Sequence, residues 1–332
     1  MKVLITGAAG FIGSTLARRL LERGDSIVGI DNLNDYYSVR LKNDRRDRLI
    51  ARGGEHFRFL MQDFADMAAL KAALAGEEFD SIVHLGAQAG VRYSIENPHV
   101  YVQSNLVGHL NMLEVARHAR VQHMVYASSS SVYGGNTKLP FSVDDRVDHP
   151  LSLYAATKKA DELMSETYAN LYRLPLTGLR FFTVYGPWGR PDMMMWIFTQ
   201  KILAGEQIPV FNHGEMWRDF TYVDDIVAGV IACLDNPPKD DGSEKAGGSI
   251  NPHALYNIGN HRSEHLLKVI GLLEQECGRA ANMEMLPMQD GDVQRTYADI
   301  GAIQRELSYQ PSTPIEVGVP NFVAWYKDYH GI

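Results

Sequence analysis

The chain has 332 residues, 45% of them hydrophobic, enough to bury the core of one large or two interleaved domains. Its 32 basic residues are outnumbered by 40 acidic ones mixed along the sequence, and the net charge of −8 argues against a nucleic-acid or anionic-membrane surface, so any phosphate site must be local. Cys233 and Cys277 match no metal-ligand or redox spacing, the opening residues lack a signal-peptide pattern and no run of about 18 apolar residues occurs, so the expectation is a soluble cytoplasmic protein with reduced thiols, no disulfide, no metal and no membrane span.

The first predicted element is a short buried strand, Lys2–Thr6, followed at three-residue spacing by Gly7, Gly10 and Gly13. Glycine is needed where a backbone turns sharply and comes close to a pyrophosphate, and a helix beginning at Phe11 would aim free N–H groups and a positive dipole end at that phosphate. The spacing is Gly-x-x-Gly-x-x-Gly, looser than the Gly-x-Gly-x-x-Gly form, so context carries the reading. A helix over Ser14–Arg23 and a second strand over Ser26–Ile30 lead to Asp31, placed to accept the ribose hydroxyls of an adenosine. An acid there favours NAD, since a 2′-phosphate would be repelled, and Asn32, Leu33 and Asn34 offer no arginine to neutralise one.

Further apolar runs at Phe57–Met61, Ser81–Leu85, Met124–Ala127 and Leu176–Phe181 alternate with helical patterns, among them Pro98–Ala119 and Ser152–Leu171. Continuously apolar strands joined by helices predict an α/β, Rossmann-type, doubly wound parallel sheet with ligands at the strand carboxyl ends. Beyond Gly186 the elements shorten, and Pro-, Gly- and Met-rich stretches point to a smaller C-terminal α/β lobe capping the sheet. The expected division is a nucleotide-binding domain of residues 1–183, with 219–258 returning to it, and a substrate lobe of 184–218 and 259–332. The polar segment Asn236–Asn251 reads as an exposed, mobile loop.

Tyr154 and Lys158 are four residues apart, on one face of a predicted helix, where an ammonium can lower the pKa of a phenol. That spacing is common by chance. Its position is not: it follows a nucleotide turn, and the preceding strand runs into Ser128, Ser129, Ser130 and Ser131, which stand at a strand carboxyl end as catalytic hydrogen-bonding groups. His84, at another strand end, reads as a satisfied structural group.

The segments TGAAGFIG, DNLND, Asp63-Phe64, HLGAQAG, NLVG, SSSSVYG, YAATK and RDF occur together in the order found in the extended short-chain dehydrogenase/reductase family of nucleotide-sugar epimerases and dehydratases, which the chain resembles over essentially its whole length. DNLNDYY, AGVRYS, TKLPFS, RFFTVYGPWGRPDM and VFNHGEMWRDFTYVDD resemble the branch that epimerises UDP-glucuronate more than the branch that epimerises UDP-glucose. The resemblance implies an NAD-dependent isomerase with Ser129, Tyr154 and Lys158 as catalytic residues. It implies that Gly7, Gly10, Phe11, Ile12 and Gly13 hold the pyrophosphate, Asp31, Asn32 and Asn34 the ribose side, and Asp63 and Phe64 the adenine. Leu85, Gly86, Ala87, Gln88, Asn105 and Phe181 would line the nicotinamide half, with Lys158 on its ribose.

For the UDP-sugar, the resemblance implies Arg218 and Asp292 at the diphosphate and uridine ribose, Phe211 beside the uracil, and Arg92 and Arg190 as further basic contacts. Oxidation at C4 of a uronic acid makes a β-keto acid, which loses carbon dioxide if its carboxylate rotates out of the ketone plane. Ser128, Ser129, Ser130 and Thr183 are the hydroxyls placed to restrain it, and Thr183 stands where glucose-type epimerases carry asparagine. The expected reaction is therefore C4 epimerisation of UDP-glucuronate to UDP-galacturonate through a 4-keto sugar, with Tyr154 as base. Rivals are a UDP-glucose epimerase, a uronate decarboxylase and, from another class, an NAD-binding sensor or scaffold. A dehydratase is disfavoured, because that branch carries Thr-Asp-Glu where this chain has Ser129-Ser130-Ser131. Departures from the family pattern are Gly86 for an alanine, Trp217 for a basic residue, and Gln294-Arg295. Apolar stripes on Pro98–Ala119 and Ser152–Leu171 predict a homodimer.

Overall fold

A computed structural model describes residues 1–289 and 292–332. In chain order its strands are β1 (Lys2–Thr6), β2 (Ser26–Asp31), β3 (Phe57–Met61), β4 (Ser81–His84), β5 (His123–Ser129), β6 (Leu176–Phe181), β7 (Thr183–Tyr185), β8 (Gln207–Val210), β9 (Trp217–Tyr222), β10 (His253–Ile258), β11 (Ser263–His265) and β12 (Asn282–Met285). Seven of them form one parallel sheet in the order β10-β6-β5-β4-β1-β2-β3. The strand order reverses between β1 and β4. That is the switch point at which a crevice opens beyond the carboxyl ends of the strands.

Both faces of this sheet are covered, which is why its strands are apolar without alternation. Leu16, Leu20, Val227 and Val230 pack on one face, and Leu70, Met112, Leu113 and Ala169 on the other. A third core, around Trp196, Phe198, Val269, Val319 and Phe322, belongs to the smaller lobe, whose strands form the sheet β11-β9-β7 and the pair β12-β8. No helix among the described residues is long and apolar enough to cross a membrane.

Two expectations are modified. The helical pattern over Pro98–Ala119 is interrupted by a π-helical turn at Val102–Val107 between helices Pro98–Tyr101 and Gly108–Ala119. The wider turn rotates Asn105 toward the loop after β4. The strand β9 pairs with β7 and β11, and the helix Val223–Leu234 that follows it packs on the helix Phe11–Arg23. The segment Asn236–Asn251 has no helix or strand but is tied down: Arg173 Nε donates to Asp240 at 2.9 Å, and Glu166 Oε1 accepts from Ser249 Oγ at 2.9 Å and Asn251 Nδ2 at 2.7 Å.

Candidate active site

Gly7 has φ +69°, and a Cβ there would lie 2.9 Å from the Gly86 nitrogen. At Gly13 a Cβ would lie 2.1 Å from the Gly7 carbonyl oxygen, so the strand, the turn and the helix can close on one another only without side chains. No side chain caps the helix Phe11–Arg23, which leaves its first N–H groups, at Phe11, Ile12 and Gly13, for an anion at the crevice. Asp31, at the end of β2, accepts from the backbone of Leu33 at 2.9 Å and of Ala9 at 3.1 Å. Burial raises its pKa against those bonds.

Cations do stand near Asp31, contrary to the expectation from the residues just after it: Lys42 and Arg45 arrive from the helix Val39–Gly53. Both are already engaged. Lys42 Nζ donates to Asn34 Oδ1 and to its carbonyl, each at 2.6 Å. Arg45 binds the Ala9 carbonyl at 3.2 Å, the Tyr37 hydroxyl at 2.8 Å and the Gly189 carbonyl at 2.8 Å. The site therefore keeps the character of one that takes an unphosphorylated ribose.

Asn32 Nδ2 donates to exposed Asp63 at 3.3 Å, so the ribose-side and adenine-side residues adjoin. Of Asp63 and Phe64, Asp63 is the exposed one: the Phe64 carbonyl accepts from Asn111 Nδ2 at 2.9 Å, and the Phe64 ring turns inward, edge-on to His84 at 5.2 Å. That position accounts for Gly86, because a Cβ there would fall 2.5 Å from the Phe64 ring. Gly86 N donates to Thr6 Oγ1 at 3.0 Å, which fixes the loop of Leu85, Gly86, Ala87 and Gln88 over β1. Asn105 is a brace: its Oδ1 accepts from Gln88 N at 2.9 Å, and its Nδ2 donates to the Gln88 carbonyl and to Thr157 Oγ1, each at 3.0 Å. Its amide holds the loop of Leu85 to Gln88 against the helix Leu153–Tyr172. Phe181 closes β6 nearby.

Ser152 caps that helix through the Ala155 N–H, which sets Tyr154 and Lys158 at its first turns. The Tyr154 ring leans on Tyr101, with centroids 6.0 Å apart. Lys158 is buried, and its Nζ donates to the Ala127 carbonyl at 2.9 Å and to Asp161 Oδ2 at 3.1 Å. Ser129 Oγ accepts from Ser131 N at 3.2 Å and donates to Ser131 Oγ at 3.1 Å.

Ser128 does not join the substrate hydroxyls. Successive residues of β5 face opposite sides of the sheet, and Ser128 Oγ donates inward to Glu162 Oε1 at 2.7 Å. Arg180 grips both oxygens of the same carboxylate at 2.8 and 2.9 Å. Burial alone would raise the Glu162 pKa, but Arg180 holds it below the usual carboxylate range. Asp161, beside it, is pushed up to about 6 by burial in spite of Lys158. His84 is pushed down to about 3 by burial and by the Lys158 charge, so it is a neutral structural group bonded to Thr6 Oγ1 at 2.7 Å.

Ser130, Ser131, Thr183, Arg218, Asp292 and Thr296 share a cavity of about 150 Å³. Within it Arg218 Nη2 donates to Asp292 Oδ1 at 2.7 Å, and Arg218 Nη1 donates to the Trp217 carbonyl at 2.9 Å. The Trp217 ring lies on His265, centroids 4.8 Å apart, so this departure serves packing next to the guanidinium. Thr183 also borders a smaller cavity of about 30 Å³ that contains Arg190 and Met193 to Met195. Arg190 Nε donates to Asp192 Oδ1 at 3.0 Å, and Tyr36 OH donates to Asp192 Oδ2 at 3.2 Å. Arg92 and Phe211 come together at the rim, the guanidinium 5.2 Å from the ring centroid. Sequence reasoning missed Arg45, Tyr101, Asp161, Glu162 and Arg180. Only the two acids had a local signal, three and four residues after Lys158 on its helix face.

A glycine-walled turn at the switch point of a parallel sheet, with a serine, tyrosine and lysine beside a capped cleft, defines a nucleotide-dependent enzyme of the short-chain dehydrogenase/reductase class. The chain belongs to the NAD-dependent epimerase/dehydratase family, whose description matches residues 3–259. It is 49% identical over 335 residues to Protein CapI of Staphylococcus aureus, covering 99% of both chains. It is 47% identical over 337 residues to UDP-glucuronate 4-epimerase 2 of Arabidopsis thaliana, covering 99% of this chain and 76% of that one. The solved UDP-glucuronic acid 4-epimerase of Bacillus cereus, in complex with UDP-glucuronic acid and NAD, superposes with a TM-score of 0.85 at 31% identity, covering 99% of this chain and 100% of that chain.

Proposed function

We propose that this NAD-dependent epimerase interconverts UDP-glucuronate and UDP-galacturonate by inverting C4. The observation that carries the reading is the placement of Thr183, Ser130 and Ser131 in the same cleft as Arg218 and Asp292. One end of that cleft offers neutral hydroxyls, suited to a sugar carboxylate that must be restrained without being drawn out of plane. The other offers a guanidinium, suited to a diphosphate. The glycine cradle, the uncapped helix and Asp31 fit NAD. NAD held there would supply the hydride acceptor and donor for C4.

The chain's own residues do the rest. Tyr154 takes the proton of the 4-hydroxyl and later returns it. Lys158, one helical turn from Tyr154, holds the coenzyme ribose. Ser129 hydrogen-bonds the oxygen that becomes the ketone. Arg218 anchors the diphosphate while the 4-keto sugar turns over, and Ser130 with Thr183 keeps its carboxylate in the ketone plane. Asp292 then exchanges part of its pairing with Arg218 for the uridine ribose. We also propose a homodimer, supported by Leu110 on one helix and Leu163 and Leu171 on its neighbour, exposed at 41%, 58% and 62%. Light scattering should return twice the 37.1 kDa chain mass.

The test is incubation of purified protein with UDP-glucuronate and no added NAD, followed by NMR. UDP-galacturonate with its carboxyl intact is the expected product. A UDP-pentose with released carbon dioxide, or turnover of UDP-glucose alone, overturns the assignment.

A further inference from the structure

The helix that carries Tyr154 and Lys158 also carries a buried acid that the chemistry above leaves unused. Asp161 is fully buried, and its Oδ2 is 3.1 Å from the equally buried Lys158 Nζ. Its other oxygen, Oδ1, is buried without a hydrogen-bond partner. The adjacent Glu162 shows how a purely structural carboxylate is accommodated here: Arg180, Ser128 and Lys159 occupy both of its oxygens. Asp161 has one side-chain partner, the catalytic lysine. A carboxylate kept so deep with half its acceptor capacity idle weakens the fold, and such groups cluster where function retains them.

Counting donors shows what Asp161 does. An ammonium has three N–H groups. One of Lys158's goes to the Ala127 carbonyl at 2.9 Å and one to Asp161. Two fixed acceptors set the direction of the third. The other titratable groups packed around Asp161 are Glu162 on its own helix, His109 on the helix Gly108–Ala119 and Tyr126 on β5. Burial keeps His109 and Tyr126 uncharged, so neither competes with Lys158.

We propose that Asp161 is a positioning residue: together with the Ala127 carbonyl it fixes the buried Lys158 ammonium and aims its remaining N–H at the phenol and the coenzyme ribose. This rests on the role given to Lys158 above. The experiment compares wild type, Asp161→Asn, Lys158→Met and the double variant by kcat and KM on UDP-glucuronate. It also measures the NAD retained through gel filtration, with thermal midpoints as a check on folding. Asp161→Asn is expected to lower kcat about tenfold, a fraction of the ~100-fold or more that a positioned proton-transfer group supplies, with KM within about twofold. It is also expected to reduce retained NAD. Added to Lys158→Met, it should change neither quantity further. The proposal is overturned if Asp161→Asn leaves kcat and NAD content at wild-type levels, or if it costs the same in both backgrounds. If wild type leaves UDP-glucuronate unchanged, the substrate assignment fails, while NAD retention in the four proteins still decides the role of Asp161.

Discussion

The two halves of the site are built from different materials. The coenzyme side is made of backbone: glycines that touch carbonyls, an uncapped helix end, and one carboxylate bonded to two N–H groups. The side proposed for the sugar is made of side chains drawn from distant segments, with Ser130 after β5, Thr183 on β7, Arg218 on β9 and Asp292 beyond β12 meeting in one cavity. Backbone geometry tolerates no added atom, whereas the side-chain cleft can be retuned one residue at a time. Hence one scaffold can keep its coenzyme and vary its sugar.

The largest effect should come where the halves meet. Tyr154→Phe removes the proton acceptor and should lower turnover by about 1,000-fold with the fold intact by circular dichroism. Full activity in that variant would revive a non-catalytic role. On the coenzyme side, Gly13→Ala forces a Cβ to 2.1 Å from the Gly7 oxygen. It should cost about 3 kcal/mol in thermal unfolding and empty the purified protein of NAD. A change of that size at Thr183 would erase the contrast.

On the substrate side, Arg218→Lys should leave stability within about 0.5 kcal/mol and raise KM for the UDP-sugar about 10-fold, because lysine cannot make the bidentate contact. Unchanged KM would remove Arg218 from the diphosphate. The smallest effect concerns pH. Burial pushes His84 down to about 3 and His123 down to about 4, and both lie in the sheet half. An imidazole kept neutral in the fold but free to protonate when unfolded gives the unfolded chain more bound protons below its ordinary pKa. Its stabilising contribution is thus complete above about pH 6.5 and is lost as the pH falls toward 4. His123→Gln should therefore flatten the acid loss of thermal stability by about 1–2 kcal/mol between pH 7 and 5. An unchanged pH dependence would show that the buried imidazoles do not set it.

The strand-turn-helix unit at the head of the sheet was legible in the sequence because its determinants are local. The run Lys2–Thr6, the three glycines, and Asp31 after β2 lie within a single strand-helix-strand unit, and each is dictated by a backbone requirement. Tyr154 and Lys158 were legible for the same reason, being one helical turn apart. Less was readable where a residue's direction depends on what packs behind it. Nothing in a run of four serines says that Ser128 faces Glu162 while Ser130 faces the cleft, since that follows from the pleat of β5 and the position of Arg180. Nothing local says that Asn105 braces the Gln88 backbone, since a π-helical turn rotates it there. Lys42 and Arg45 reach Asp31 only through the return of a helix.

The sequence by itself determined the parallel sheet, the glycine-lined turn and the helix that carries Tyr154 and Lys158, because periodicity and glycine placement act over a few residues. The tertiary structure alone decided which serine hydroxyls face the cleft, which cations are already paired, and that Lys158 rests against a buried aspartate. Those outcomes depend on contacts between segments far apart in the chain, where burial and competition for hydrogen-bond partners select one arrangement.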